Sequence, residues 1–246
     1  MLAIWFALVG VVMGSFLNLC CDRLPRGGSI LRPASRCDVC LHPLSVKDLV
    51  PVLSYIWLRG RCRYCGASIP LRALLLELAT GAAYGLLAWH YGLSARLGIL
   101  LVYAALFLLI FVIDLEHGLI LNKVTYPGMA LALAFSFLPS GPGVKSALLG
   151  GGVGLVLLLV PFLLFHGGLG GGDVKLGAML GLVCGFPEVL VGFLVAVLAG
   201  GLVAGALLAS GKKGRKDPIP FGPFLVSGAM VALIWGTQLW QWYPGL

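Results

Sequence analysis

Two aspartates lie at the edges of long apolar stretches of the chain. Asp114 follows the uncharged run 97–113, and Asp173 follows the three glycines 170–172 at the start of another apolar segment. Because an ionisable group near hydrocarbon is costly, such a residue indicates a functional site. Two neighbouring carboxylates share a proton, so one acts as general base on a water while the other, protonated, polarises a carbonyl. Asp114 and Asp173 therefore predict acid–base hydrolysis, although Asp173 taken alone could be a helix N-cap.

Four of the seven cysteines form two pairs, Cys37-x-x-Cys40 and Cys62-x-x-Cys65, with residues 41–61 between them. Each pair places two sulfurs on one tight turn, which is the arrangement of a tetrahedral thiolate zinc site. Four thiolates leave no coordination position for water, so the predicted zinc is structural. The alternatives are two disulfides or unrelated thiols, and disulfides are rare in a reducing compartment.

The composition is that of a membrane protein. Of the 246 residues, 60% are hydrophobic and 11% are charged, and the mean hydropathy is +1.03. Soluble domains are about half apolar and a quarter charged, and disordered chains are less apolar still. Uncharged stretches long enough to span a bilayer predict an all-α polytopic membrane protein with about eight transmembrane helices, near 1–21, 72–91, 97–114, 124–140, 146–166, 173–186, 188–210 and 221–242.

The basic residues set the predicted orientation. Placing the segment 22–71 inside puts all but Arg96 and Lys145 of the 17 Lys and Arg residues on that side. Because basic loops face the cytoplasm, this segment is predicted to be cytoplasmic and both termini to lie outside. The third helix then ends inward at Asp114 and the sixth begins there at Asp173, so the two carboxylates lie at one depth and can meet.

The same topology divides the chain into three predicted parts. Residues 1–21 form the first transmembrane helix, residues 22–71 a cytoplasmic zinc-binding loop, and residues 72–246 a seven-helix membrane domain that carries the aspartate pair. The net charge of +8 is compatible with contacts to anionic membrane lipid. So little polar surface excludes a soluble nucleic-acid-binding domain, and no nucleic-acid partner is expected.

Several short motifs resemble those of one family. They are Gly14-Ser15-Phe16-Leu17-Asn18, Arg23-Leu24-Pro25, the two C-x-x-C pairs, Gly170-Gly171-Gly172-Asp173 with Lys175 after it, and Ile219-Pro220-Phe221-Gly222-Pro223-Phe224. The glycine-rich motif fits the GxGD signature of intramembrane aspartyl proteases. In this order the motifs resemble those of the bacterial type IV prepilin leader peptidases, and the resemblance spans almost the whole chain.

The resemblance implies a bifunctional enzyme of the bacterial cytoplasmic (inner) membrane. Its catalytic pair carries over as Asp114 and Asp173. Such enzymes cut the basic leader of prepilins and pseudopilins after a glycine on the cytoplasmic side, and many then methylate the new N-terminal residue with S-adenosylmethionine. No glycine-rich nucleotide loop is visible in the sequence, so the site of the methyl donor is not assigned.

One departure from the family pattern concerns a rival carboxylate. Where many members have Pro-Asp after the first aspartate, this chain has Leu121-Asn122. Glu116 is expected to face the cytoplasmic side, since residues two apart do not share a helix face. Glu77, in the second predicted helix, either pairs with an arginine such as Arg72 or helps to bind a substrate amine or the methyl donor.

Other functions remain open from the sequence. The enzyme could be a peptidase without methyltransferase activity. A proton-coupled transporter also uses intramembrane carboxylates, although it more often places them at the bilayer midplane and shows internal repeats. A membrane-bound zinc scaffold would explain the cysteines but not the aspartates.

Overall fold

The computed structural model describes residues 1–32, 34–164, 169–212, 214, 217 and 219–242. These residues form eight long helices, with two isolated β-bridges as their only extended pairing. The segment between the first two helices adds a 3₁₀ turn at Val46–Asp48 and a one-turn helix at Leu53–Trp57. The long helices are α1 (Leu2–Arg23), α2 (Leu71–Tyr91), α3 (Ala95–His117), α4 (Asn122–Ser136), α5 (Val144–Leu164), α6 (Gly171–Cys184), α7 (Glu188–Ala209) and α8 (Gly222–Gln241).

Each predicted transmembrane segment is a helix whose ends fall within about one turn of the prediction. In the described ranges, six helices are long and apolar enough to cross a membrane: α1, α2, α3, α5, α7 and α8. The other two, α4 and α6, have 15 and 14 residues, which span roughly 22 Å against a hydrocarbon core of about 30 Å. The all-α multi-pass fold is confirmed, whereas eight crossings remain a prediction.

The chain divides into two compact units, Met1–Leu109 and Ile110–Leu246. In the first unit, α1 packs along α2. A Cβ added to Gly10 would lie 2.6 Å from the Thr80 carbonyl oxygen, and one added to Gly14 would lie 2.6 Å from the Cα of Glu77. Small residues of this kind allow the backbones of two membrane helices to approach closely. The predicted division into a first helix, a zinc-binding loop and a seven-helix membrane domain does not correspond to these two compact units, and it stays a prediction.

In the second unit, α6 is the central helix and contacts α4, α5, α7 and α8. Its contact with α5 is built from glycines spaced four apart on both helices, Gly150 and Gly154 opposite Gly177 and Gly181. A Cβ on Gly177 would lie 2.7 Å from the Gly154 carbonyl oxygen. This small-xxx-small pattern fixes the helix that begins with the glycine-rich motif.

Gly177→Ala is therefore expected to destabilise the protein. The added methyl overlaps the α5 backbone, and overpacking of this kind costs roughly 1–3 kcal/mol, so the melting temperature in detergent should fall. Gly152→Ala is the matched control on α5, because a Cβ there meets nothing within 4 Å. An equal loss of stability in both variants would contradict the close α5–α6 contact.

Candidate active site and metal centre

Asp114 lies in the last turn of α3 and is only 5% exposed. The backbone N–H of Gly222, the first residue of α8, donates a hydrogen bond of 2.9 Å to its Oδ2. The helix ends just before Gly118, whose N–H donates a hydrogen bond to the Asp114 carbonyl oxygen. The carboxyl group is thus buried at a helix end and held by a backbone donor 108 residues further along the chain.

Gly222 approaches Asp114 more closely than any residue with a side chain could. A Cβ on Gly222 would lie 2.5 Å from Oδ2 and 3.0 Å from Cγ of Asp114. The Pro-Phe-Gly-Pro-Phe segment therefore positions this carboxylate, a role that sequence reasoning did not assign. The sequence pattern that could have indicated this role is a glycine between two prolines at the start of an apolar helix. The first N–H groups of a helix have no partner within the helix and are free to bind a carboxylate.

Asp173 is the third residue of α6, after the N-cap Gly170. Its Oδ2 accepts a hydrogen bond of 3.0 Å from the Gly170 N–H, and its own N–H donates to the Gly170 carbonyl oxygen at 3.0 Å. The residue is partly buried. Asp173 therefore also acts as a helix-capping residue, which is the alternative that its position in the sequence left open. Only one of its two carboxylate oxygens, Oδ2, takes part in this capping.

Asp114 and Asp173 belong to the same compact unit, and Gly172, which precedes Asp173, packs against Ile120, six residues after Asp114. Asp114 comes from the end of α3 and Asp173 from the start of α6, as their predicted depth in the membrane implied. Glu116 is exposed and does not share the burial of Asp114, and its orientation toward the cytoplasmic loop stays a prediction. The structure thus places both residues that the sequence singled out for proton transfer at helix ends of the second unit.

A polar link fixes the start of α6 against α4. The Lys175 Nζ donates a hydrogen bond of 3.0 Å to the Asn122 Oδ1 and lies 5.7 Å from the centre of the Tyr126 ring. On the other side of Asp173, Gly172 is packed so closely on Ile120 that an added Cβ would be 2.9 Å from its Cβ. Asn122, the first residue of α4, thus links that helix to the start of α6 beside Asp173.

The four paired cysteines form one cluster. All four sulfurs of Cys37, Cys40, Cys62 and Cys65 lie within 4.8 Å of one another, and the Sγ atoms of Cys37 and Cys65 are 3.8 Å apart. A tetrahedral zinc with Zn–S bonds of about 2.3 Å places its sulfurs about 3.8 Å apart. The backbone N–H groups of Cys40 and Val39 lower the pKa of the Cys37 thiol to about 7, which favours the thiolate that binds metal.

The two halves of the cluster have the same backbone. In each, the first cysteine donates its N–H to a carbonyl five residues later, in His42 and in Ala67. In each, the residue after the second cysteine has a positive φ, 57° at Leu41 and 73° at Gly66. Two equivalent knuckles facing each other provide the four-thiolate arrangement that the spacing predicted, and the donor set fits zinc.

Asp48 braces the second knuckle from the segment between the pairs. Its carboxylate accepts hydrogen bonds from the Ser45 hydroxyl at 2.7 Å and from Arg63 at 2.6 Å. These two donors hold the pKa of the Asp48 carboxyl down at about 2, so the ion pair persists throughout the physiological pH range. Arg63 lies next to Cys62, and the ion pair therefore ties the intervening chain to the cluster.

Comparison with known proteins gives two family matches. Residues 8–91 match the bacterial peptidase A24 N-terminal domain, and residues 101–205 match the type IV leader peptidase family. A prepilin leader peptidase/N-methyltransferase of Bacillus subtilis is 32% identical, over 99% of this chain and 98% of the relative. This chain belongs to the type IV leader peptidase family.

Other members of the leader peptidase family are similar over nearly their whole length. A prepilin leader peptidase/N-methyltransferase of Stutzerimonas stutzeri is 32% identical over 94% of this chain and 90% of the relative. One of Burkholderia pseudomallei (strain 1026b) is 35% identical over 96% of this chain and 86% of the relative. No solved structure gives a significant match.

The two matched segments carry different parts of this leader peptidase. The N-terminal match contains the cysteine cluster and the α1–α2 contact, and the second match contains Asp114 and Asp173. Gly222 lies beyond both. The backbone donor to Asp114 is therefore found in the structure and not in the family matches.

S-adenosylmethionine, the methyl donor implied by the resemblance, does not fit either of two depressions in the described part of the chain. One lies among Leu180, Cys184 and Val189, and the other follows α1 from Trp5 to Phe16. Both are lined by apolar side chains, whereas a nucleoside and an amino-acid group require convergent polar partners.

The cysteine cluster leads to a prediction for this family member. Freshly purified, reduced protein should contain about one zinc per chain, because the four sulfurs form a closed tetrahedral site. Cys65→Ser should lower the zinc content and make the segment 24–70 sensitive to protease, since metal binding and folding are coupled. Cys20→Ala, outside the cluster, is the control. Metal analysis that finds no zinc in the unmodified protein would contradict the assignment.

Proposed function

We propose that this chain is an intramembrane aspartyl endopeptidase with Asp114 and Asp173 as its catalytic pair. Its substrates are type IV prepilins and pseudopilins, whose leader it removes after a glycine. The observation that carries the proposal is the position of two carboxylates at two helix ends of one compact unit, one buried and held by the Gly222 N–H and one capping α6. The names of the relatives, prepilin leader peptidase/N-methyltransferase, supply the class of substrate.

The proposed mechanism assigns different roles to the two carboxyl groups. With one shared proton, the ionised carboxylate takes a proton from a water as the water attacks the scissile carbonyl. The protonated partner donates a hydrogen bond to the carbonyl oxygen and stabilises the charge that develops there. The Gly222 N–H fixes Oδ2 of Asp114, and the Gly170 N–H fixes Oδ2 of Asp173. Both bonds hold the carboxyl groups in place without adding a further charge.

The proposed location is the bacterial cytoplasmic membrane, with membrane lipid around the helices. The charge distribution supports a cytoplasmic segment 22–71, both termini outside, and a seven-helix membrane domain over 72–246. In this orientation the aspartate pair lies at the cytoplasmic level of the membrane, where the leader of an inserted prepilin would be presented.

The second proposed activity is N-methylation of the new N-terminal residue, with S-adenosylmethionine as methyl donor. We expect methyl transfer to be more sensitive than cleavage to damage of the zinc-binding segment. The reason is that a polar donor and a freed amine must be held together, and the zinc-binding segment between α1 and α2 is the only sizeable polar stretch of the sequence.

The test uses detergent-solubilised protein and a synthetic prepilin followed by mass spectrometry. The expected products are the free leader and a mature chain that begins after the glycine. Adding S-adenosylmethionine should increase the mass of the mature chain by one methyl group. Cleavage without methylation would reduce the proposal to a peptidase. No cleavage, together with proton-coupled uptake in proteoliposomes, would favour the transporter.

A further inference from the structure

Glu77 is a buried carboxylate without a cation. It lies in α2, is 8% exposed, and accepts hydrogen bonds from the Val52 N–H at 2.7 Å and from the Ser15 hydroxyl. Neither of the two ion pairs in the described part of the chain involves it. A buried carboxylate is normally paired with a positive group, so Glu77 is a buried carboxyl group whose charged form no ion pair stabilises in the described part of the first unit.

A second acceptor lies next to it. Asn18 is 8% exposed, and its Nδ2 donates a hydrogen bond of 2.9 Å to the Ala73 carbonyl oxygen, whereas its Oδ1 is buried with no hydrogen-bond partner. Ala73 is one helical turn before Glu77, and Asn18 follows Ser15 by three residues, so both acceptors lie on the same contact between α1 and α2. We call Ser15, Asn18, Ala73 and Glu77 the α1–α2 seam. Buried acceptors without donors are rare and indicate a missing partner.

The arginine expected to neutralise Glu77 is engaged elsewhere. The Arg72 guanidinium forms an ion pair of 2.6 Å with Asp22 at the end of α1. The alternative reading of Glu77 as half of an Arg72 ion pair is therefore not what the structure contains. What remains at the seam is one carboxyl group without a cation and one neutral acceptor, both buried.

We propose that the α1–α2 seam binds an α-ammonium group, the free N-terminal amine of the mature pilin that cleavage releases. A primary ammonium carries one positive charge and three N–H donors in a small volume. It matches the Glu77 charge and also supplies a donor to the Asn18 Oδ1. A sulfonium matches only the charge, because it has no N–H. This inference deepens the proposed function and rests on its methyltransferase part.

An α-ammonium group has two possible sources in this enzyme. One is the N-terminus of the mature chain, and the other is the amino-acid moiety of the methyl donor. The experiment therefore has two probes, each with a version whose amine is acetylated. They are a short peptide with the mature pilin N-terminus and S-adenosylhomocysteine, a stable relative of the donor.

The deciding variant is Glu77→Gln in the full-length, zinc-loaded protein. Glutamine keeps an oxygen that accepts the Val52 and Ser15 bonds but removes the negative charge. For the unmodified protein we expect the free-amine peptide to bind at least about tenfold more tightly than its acetylated form. Glu77→Gln should abolish this difference. Asn18→Ala should reduce it, and Glu188→Gln, in α7 of the other unit, should leave it unchanged.

The other possible outcomes overturn the inference in different ways. If only S-adenosylhomocysteine shows the amine preference and its loss in Glu77→Gln, the seam binds the ammonium of the donor and the peptide assignment is overturned. If neither probe distinguishes free from acetylated amine, the inference is wrong. If Glu77→Gln loosens the segment 24–70 toward protease or lowers its zinc content, Glu77 is a structural anchor of Val52 and the inference is wrong as well.

Cleavage of full-length prepilin separates this inference from the proposed function. Cleavage by the unmodified protein is measured separately from amine binding, because the aspartate pair belongs to the second unit. If the unmodified protein does not cleave, the proposed function fails, whereas the amine preference of the seam is still measured directly by peptide binding.

Discussion

Asp114→Asn and Asp173→Asn each abolish cleavage of prepilin, with the rate falling at least about 10²-fold and up to about 10⁴-fold. An amide neither holds the shared proton nor accepts one from water, yet it has nearly the shape of the carboxylic acid. Asn at 114 still presents an oxygen to the Gly222 N–H, so folding is expected to persist. The measurement is the initial rate of leader release, followed by mass spectrometry.

Glu116→Gln is the matched control, since Glu116 is exposed two residues from Asp114 on the same helix. It should retain most of the activity. Melting temperatures of all three variants in detergent check that the aspartate variants are folded. Near-normal cleavage by either aspartate variant would remove the pair from the mechanism. On a pilin that is already cleaved, both variants should still transfer a methyl group, because the proposed amine site involves neither aspartate.

Gly222→Ala is expected to lower the rate of cleavage by about 10²-fold. The new methyl would lie 2.5 Å from the Asp114 Oδ2, so either the carboxylate or the start of α8 must shift. A displacement of about 1 Å in a catalytic group costs roughly this factor. The loss should appear mainly in kcat, since the binding of the prepilin helix is not altered.

The control for this prediction is Gly201→Ala on α7, where an added Cβ meets nothing within 4 Å. It should cleave normally and be at least as stable as the unmodified protein. Normal cleavage by Gly222→Ala would show that the Asp114 carboxylate does not depend on the α8 backbone for its position.

The sequence predicted the helices and the chemical groups because both depend on residue type. Hydropathy located all eight helices, and it did so even for α4 and α6, which are short. The spacing of the cysteines sufficed for the cluster, since two C-x-x-C turns have few ways to present four sulfurs. The proposed pairing of Asp114 with Asp173 rests on counting helices and placing both residues at one depth.

What the sequence did not predict are contacts made by backbone atoms between distant segments. The bond from Gly222 to Asp114 uses an N–H, which every residue except proline has, so no residue type marks it. The bond from Val52 to Glu77 is of the same kind, and it depends on a φ of 63° that a valine rarely adopts. The sequence could not predict that the Asn18 Oδ1 has no hydrogen-bond partner either, because this depends on which donors the folded chain places around it.

The donor at Gly222 also sets where the catalytic unit ends. A chain that stops at residue 212 would retain both aspartates and every residue matched by the two families, yet it would lack the N–H that holds Asp114. Such a truncation should be inactive even where α1–α7 insert into the membrane. Because α8 acts through its backbone, supplying residues 213–246 as a separate polypeptide should restore cleavage, as in a split enzyme whose two fragments reassemble.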